Sequence, residues 1–261
     1  MKRRIREILT DIECQEGVRI LYACESGSRA WGFASPDSDY DVRFIYVREL
    51  EGYLTLSPMR DVIEKMYPEE NVDIAGWDLR KALLLFSKSN PSFYEWLNSP
   101  IVYREDPGFV STIREMMGEC FNPRAGFHHY YATAVSHDLR YLDRKGVTLK
   151  RFLYYFRSLL CCKWVAERRT SPPVRFETLV RELIKDRVLL DAVNGMLESK
   201  GKGKEHDGAD VEDCLIEYGE KLRNGMETVE GMAVVLDADS KTEMESLENL
   251  FRRTVLRCGE Y

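Results

Sequence analysis

No stretch of the chain approaches the roughly 20 consecutive apolar residues of a membrane-spanning helix, and the basic start, Lys2-Arg3-Arg4, is not followed by the apolar core of a secretion signal. A cytoplasmic protein without a membrane partner is expected. The seven cysteines are odd in number, scattered, and never spaced as Cys-x-x-Cys, although Cys161 and Cys162 are adjacent. That pattern offers neither a disulfide framework nor a cysteine metal site, so reduced thiols are expected. No excess of basic charge is present either. The net charge is −6 and the pI about 5.5, which argues against a large electrostatic footprint on nucleic acid while leaving room for local basic patches. No internal repeat is visible. What the chain does have is 44% hydrophobic and 11% aromatic residues over 261 positions, enough for a sizeable core.

The first half alternates strand and helix signals. Ile5, Ile8, Leu9 and Ile12 recur at helical spacing within Lys2 to Gln15, and Gly17 stops that helix. Val18 to Ala23 reads as a buried strand, Tyr40 to Val47 as a second and Val72 to Trp77 as a third. Between the second and third strands, Glu49 to Glu70 reads as an insertion, with a helix over Ser57 to Met66. Asp78 suits the N-cap of a helix burying Leu79, Ala82, Leu83 and Phe86. Pro91 to Asn98 is one more helical piece, with Asn90-Pro91 and Glu95 at a junction, and Pro100 to Tyr103 is a short edge strand.

From Pro107 the texture changes and strand signals cease. Helices are expected over Arg124 to Lys145, Thr148 to Arg168, Phe176 to Lys185, Arg187 to Ser199, Val211 to Met226 and Thr242 to Arg257. A glycine- and lysine-bearing loop near 200–210 separates two of them. The expected architecture is an α/β (α+β) domain with a mixed sheet over residues 1–105, followed by an all-helical domain over 106–261.

Chemistry concentrates between the first two strands. Gly27-Ser28-Arg29-Ala30-Trp31-Gly32 ends the first strand in a tight turn, where backbone N–H groups and the start of a short helix can face an anion. Ser38-Asp39-Tyr40-Asp41 follows. Two residues apart on a strand, Asp39 and Asp41 would point to one face, and paired carboxylates call for a divalent cation between them. The bland alternative is a turn rich in Ser, Pro and Asp. It suits Asp37 but not Asp41, which is embedded in the strand Tyr-Asp-Val-Arg-Phe-Ile-Tyr. Asp73, in Asn71-Val72-Asp73-Ile74, is a third candidate carboxylate. Arg43 shares the parity of the aspartates and reads as an ion pair holding them, whereas Arg29 reads as a phosphate contact.

These residues resemble the nucleotidyltransferase superfamily that includes DNA polymerase β and kanamycin nucleotidyltransferase, whose motif is Gly-Ser, about ten residues, then Asp-x-Asp, with a later third carboxylate. Within it, the chain is similar to a bacterial and phage group associated with RNA ligases. That likeness rests also on Asn90-Pro91 through Leu97 and on Leu149-Lys150-Arg151-Phe152-Leu153-Tyr154 through Trp164, and covers roughly the first two thirds of the chain. The resemblance implies catalytic, metal-binding Asp39, Asp41 and Asp73, two Mg²⁺ ions, and a nucleoside triphosphate held at Gly27, Ser28 and Arg29. It also favours placing Lys150, Tyr154 and Arg157, a polar stripe on one helix, at the triphosphate tail and the base or ribose. The alternative for that stripe is an ordinary solvated face.

His129, Thr133, His137 and Arg140 also share a helix face. They lack a third metal ligand at useful spacing and read as polar interface residues. The expected activity is transfer of a nucleoside monophosphate to an acceptor hydroxyl. Association with RNA ligases implies an RNA end, and the cations near Arg144, Lys145, Lys150, Arg151 and Arg168-Arg169 are where RNA would meet this acidic chain. A protein or small-molecule hydroxyl fits the net charge equally well. A non-catalytic nucleotide-binding module is the remaining class, and the three intact carboxylates argue against it.

Overall fold

The computed structural model of the chain describes residues 1–137, 148–202, 211–228 and 244–258. These residues pack as two units. One comprises residues 1–30 and 39–120 with the last described helix. The other joins residues 31–38 to the helices between residues 121 and 228.

The first unit is built on a five-stranded sheet of β1 (Val18–Glu25), β2 (Tyr40–Arg48), β3 (Val62–Tyr67), β4 (Val72–Asp78) and β5 (Val102–Glu105), in the order β3-β4-β2-β1-β5. Only β2 and β4 run parallel, so the sheet is mixed as expected. The amphipathic α1 (Lys2–Glu16) lays Ile5, Ile8, Leu9 and Ile12 on one face of the sheet, against Ile20, Val42, Phe44, Val72 and Ile74. It ends at Gly17 in the left-handed region (φ 60°), where the cap N–H reaches the Glu13 carbonyl. The short α2 (Gly27–Trp31) follows β1 and α3 (Leu50–Tyr53) follows β2, and the opposite face takes α4 (Leu79–Ser87) and α5 (Pro91–Leu97). There Trp77 stacks on Trp96 at 3.8 Å and the Tyr22 hydroxyl donates to the Trp96 carbonyl.

At the centre of the sheet Phe44 faces Gly76 across the parallel pair. A Cβ at Gly76 would overlap the Phe44 ring, which is fully buried and has no room to retreat. Gly76→Ala is therefore expected to lower stability by about 1–3 kcal/mol, measured as a shift of the urea midpoint without loss of the cooperative transition.

Two elements differ from the sequence reading. Residues 62–67 form strand β3 and not part of a helix over Ser57 to Met66. Val62, Ile63 and Met66 imitate a helical face, but the β-branched pair and Tyr67 suit a pleated edge, and β4 supplies the ladder through a turn at Pro68–Asn71. The division expected at 105/106 also runs elsewhere. Helix α6 (Pro107–Cys120), for which the sequence analysis assigned no element, buries Phe109, Val110 and Ile113 in the first unit. The last described helix, α12 (Met244–Cys258), returns to the same unit, with Phe251 edge-on to Tyr53 at 5.2 Å and Arg257 Nη2 donating to both carboxylate oxygens of Asp106 at 2.7 Å.

The second unit is helical: α7 (Pro123–Ser136), α8 (Leu149–Arg168), α9 (Phe176–Leu183), α10 (Arg187–Gly201) and α11 (Asp213–Glu227). Its spine is α8, whose Phe152, Phe156, Leu159, Leu160, Cys161 and Cys162 are buried. None of the seven cysteines forms a disulfide. The expected continuation of α7 to Lys145, with Arg140 and Arg144, and most of the loop near 200–210 lie outside the described residues. No described helix is long and apolar enough to cross a membrane.

Candidate active site

Strand β1 runs directly into the Gly-Ser turn, and the turn is tied to β2. The Ser26 N–H donates to the Asp41 carbonyl at 2.8 Å, and the Asp41 N–H donates to the Glu25 carboxylate at 2.9 Å. Gly27 sits at φ 58°, and a Cβ there would overlap the Oδ2 atom of Asp41. Glycine is required twice over, once by the backbone and once by the carboxylate pressed against it. Ser28 is buried in the first turn of α2.

The parallel pairing of β2 with β4 sets Asp41 opposite Asp73. Between the two lies Arg43, whose Nη2 donates to Asp41 Oδ1 at 3.1 Å and to Asp73 Oδ2 at 2.7 Å. The same guanidinium reaches the main-chain carbonyls of Val42 and Asp73. This is the ion pair expected of Arg43. One positive charge already bridges two carboxylates that would otherwise repel.

Asp39 is placed differently from the shared-face expectation. Strand β2 begins at Tyr40, so the two-residue alternation does not extend to Asp39, which is exposed. Its main-chain carbonyl accepts from Arg29 Nε at 3.1 Å, and the Arg29 guanidinium lies 3.8 Å over the Tyr40 ring. The structure thus brings Asp41 and Asp73 together beside Gly27 but does not add Asp39 to them. Among the described residues no three of His, Cys, Asp or Glu are grouped to hold a metal ion.

A residue not singled out in the sequence completes the frame. Glu25, the last of β1, is fully buried. One oxygen takes the Asp41 N–H and the other the Tyr103 hydroxyl of β5. Burial pushes its carboxyl above the usual range. Glu25 orients Asp41 through its backbone and does not face the candidate site as a ligand. Its signal in the sequence was a lone acid ending an apolar strand just before Gly-Ser.

In the helical unit, the stripe on α8 is not uniform. Lys150 is exposed, whereas Arg157 is only 4% exposed. Arg157 lies 4.3 Å over the Trp31 ring and donates to the Val174 carbonyl. Tyr154 meets the same Trp31 edge-on at 5.0 Å and lies 5.6 Å from His137. Burial, with the Arg151 charge, holds the His137 imidazole below its usual value. Phe33 continues the cluster onto Phe176 at 5.5 Å. The residues between the Gly-Ser turn and the aspartates therefore belong to the packing of the helices, through two aromatic anchors.

A sequence model described as "RNA repair pathway DNA polymerase beta family" (RlaP) matches residues 1–253. The chain is also 40% identical over 255 residues to the "Uncharacterized protein YcgL" of Bacillus subtilis (strain 168), covering 98% of this chain and 96% of that protein. A match over nearly the full length, with the Gly-Ser turn, Asp41 and Asp73 assembled in one unit, leads to one conclusion: the chain belongs to the RNA repair pathway DNA polymerase beta family, RlaP.

Proposed function

We propose that this protein is a divalent-cation-dependent nucleotidyltransferase that moves a nucleoside monophosphate from a nucleoside triphosphate to an acceptor hydroxyl, with an RNA end as acceptor. The observation that carries the reading is the Asp41 carboxylate, seated against Gly27 and facing Asp73 across the β2–β4 pair. The donor set suits Mg²⁺: the donors are carboxylate oxygens, and two of them already accept one cationic group between them. Asp41 and Asp73 would hold the ion, with Asp39, exposed just ahead of β2, as the further carboxylate nearest to them in sequence. When bound, Mg²⁺ supplies charge stabilisation to the entering and leaving oxygens of in-line attack on the α-phosphorus.

The chain's own residues do the rest. Gly27 lets the backbone come close to the phosphates, and Ser28 and Arg29 are assigned to them. Glu25 and Tyr103 hold Asp41 in place. On α8, Lys150 and Tyr154 are assigned to the nucleotide, and Arg157 keeps Trp31 packed. The RNA acceptor follows the family's description as part of an RNA repair pathway.

Incubation with each α-³²P nucleoside triphosphate and Mg²⁺, in the presence of RNA bearing a free 3′ hydroxyl, tests the reading. Label on RNA and release of pyrophosphate are expected. Label on the protein or a small hydroxyl compound, with RNA untouched at low salt, would replace the acceptor while keeping the transfer. Lys150→Ala is expected to weaken triphosphate binding about tenfold and monophosphate binding much less, since an exposed cation acts mainly on the phosphate charge. Equal losses for both nucleotides would return Lys150 to the solvated face.

A further inference from the structure

At the far end of β2 from Asp41 the first unit encloses a second, strongly charged cavity of about 520 Å³. Its walls are Arg48 at the end of β2, Tyr53 of α3, the loop through Arg60, and residues 78–81 at the start of α4. Asp41 and Arg48 are seven residues apart on one strand, about 23 Å at the rise of a β-strand. The cavity is therefore separate from the Gly-Ser turn.

Four cations and two carboxylates line it. Both carboxylates are committed. Asp78 caps α4 by accepting the Arg80 N–H at 2.8 Å and takes the Tyr53 hydroxyl at 2.9 Å. Asp61 pairs with Lys81 at 3.1 Å. Arg60 is paired outward with Glu64. Among the described residues, neither Arg48 nor Arg80 has a carboxylate at ion-pair distance.

Both arginines feel the charge of the nearby Asp78 carboxylate, but neither is paired with it. Arg48 is only 8% exposed, its Nη2 makes a long bond of 3.3 Å to the Arg60 carbonyl, and its buried Nε has no partner. A buried charged donor left unbonded is unfavourable. Arg80 and Lys81 stand in the first turn of α4, where the helix dipole disfavours cations; the Asp78 cap and Asp61 offset part of that, and Arg80 forms no ion pair with either. Arg80 is held over the rings of Tyr53 and Phe251, at 5.2 and 5.5 Å, which leaves its guanidinium edge for a ligand. An anion with several acceptor oxygens could pair with Arg48 and Arg80 together, and the planar forks of two arginines match the oxygens of a phosphate.

We propose that this cavity binds the phosphate group of a small phosphorylated molecule, with Arg48 and Arg80 as the principal contacts and Lys81 at the rim. The site does not depend on the nucleotidyl-transfer reading, because none of its residues belongs to that machinery.

Isothermal titration of the full chain with inorganic phosphate, and separately with adenosine monophosphate, both without divalent cation, tests the proposal. Arg80→Ala changes an exposed side chain and is expected to fold normally. It should weaken phosphate binding at least tenfold, while Arg3→Ala, on the exposed surface of α1, leaves it unchanged. Arg48→Met, which keeps the buried stem, should abolish binding if the protein folds. Tighter binding of adenosine monophosphate than of phosphate would assign the cavity to a phosphorylated nucleoside, and equal binding to the free anion. No binding at millimolar phosphate, undiminished binding in Arg80→Ala, or loss in Arg3→Ala would overturn the site.

Discussion

Asp41→Asn is expected to reduce nucleotidyl transfer by on the order of a thousandfold or more while leaving the fold intact. The substitution removes the charge without changing the volume pressed against Gly27, and the main-chain bonds from Ser26 and to Glu25 survive it. Arg43 keeps Asp73 as its partner, and its own charge then sits beside one carboxylate in place of two. The assay is α-³²P transfer at saturating triphosphate, read beside a urea melt of the same preparation. Near wild-type turnover with an unchanged melt would remove Asp41 from the chemistry and with it the central claim about the site. Asp73→Asn should behave alike, because it stands in the facing position of the same pair.

Gly27→Ala is expected to lose both stability and activity, and Gly17→Ala provides its control. Both glycines lie in the left-handed region, at φ 58° and φ 60°. A Cβ on Gly17 meets nothing, so that substitution carries the backbone cost alone, about 1–2 kcal/mol. At Gly27 the same backbone cost is joined by overlap with the Asp41 carboxylate. The total should reach about 2–4 kcal/mol, with turnover lost even where the protein remains folded. Equal urea midpoints for the two variants would mean that Asp41 does not sit against the turn in solution.

The parts of this architecture that were legible in sequence are those decided locally. Ile5, Ile8, Leu9 and Ile12 announce α1 by spacing, Asp78 announces the start of α4 by its capping chemistry, and Gly27 announces a turn. What stayed hidden depends on partners remote in sequence. Strand β3 exists because β4 offers it a ladder, and its own residues carry a helix-like apolar spacing. For Asp39 strand alternation gives no placement, because it holds only inside a strand and β2 starts one residue later. Glu25 could not be told from a surface acid until β5 brought Tyr103 to its second oxygen. Arg157 read as a contact to the triphosphate tail, with a solvated row as the alternative, and its burial under Trp31, far back in the chain, was not visible in the stripe. The pairing of Arg43 with the aspartates was legible, since strand parity alone sets it on their face.

The return of α12 to the sheet has a consequence for how the molecule is made. Tyr53 and Asp106 receive Phe251 and Arg257 from the opposite end of the chain. During synthesis the ribosome must deliver the whole helical unit before that closing helix emerges, a wait on the order of ten seconds at ordinary translation speed. Through that interval the nascent sheet exposes the apolar ground that Leu247, Leu250 and Val255 will cover. A premature stop ahead of α12 would therefore leave a sticky polypeptide for chaperones and proteases to sort, even though every residue of the Gly-Ser turn and its aspartates had already been translated.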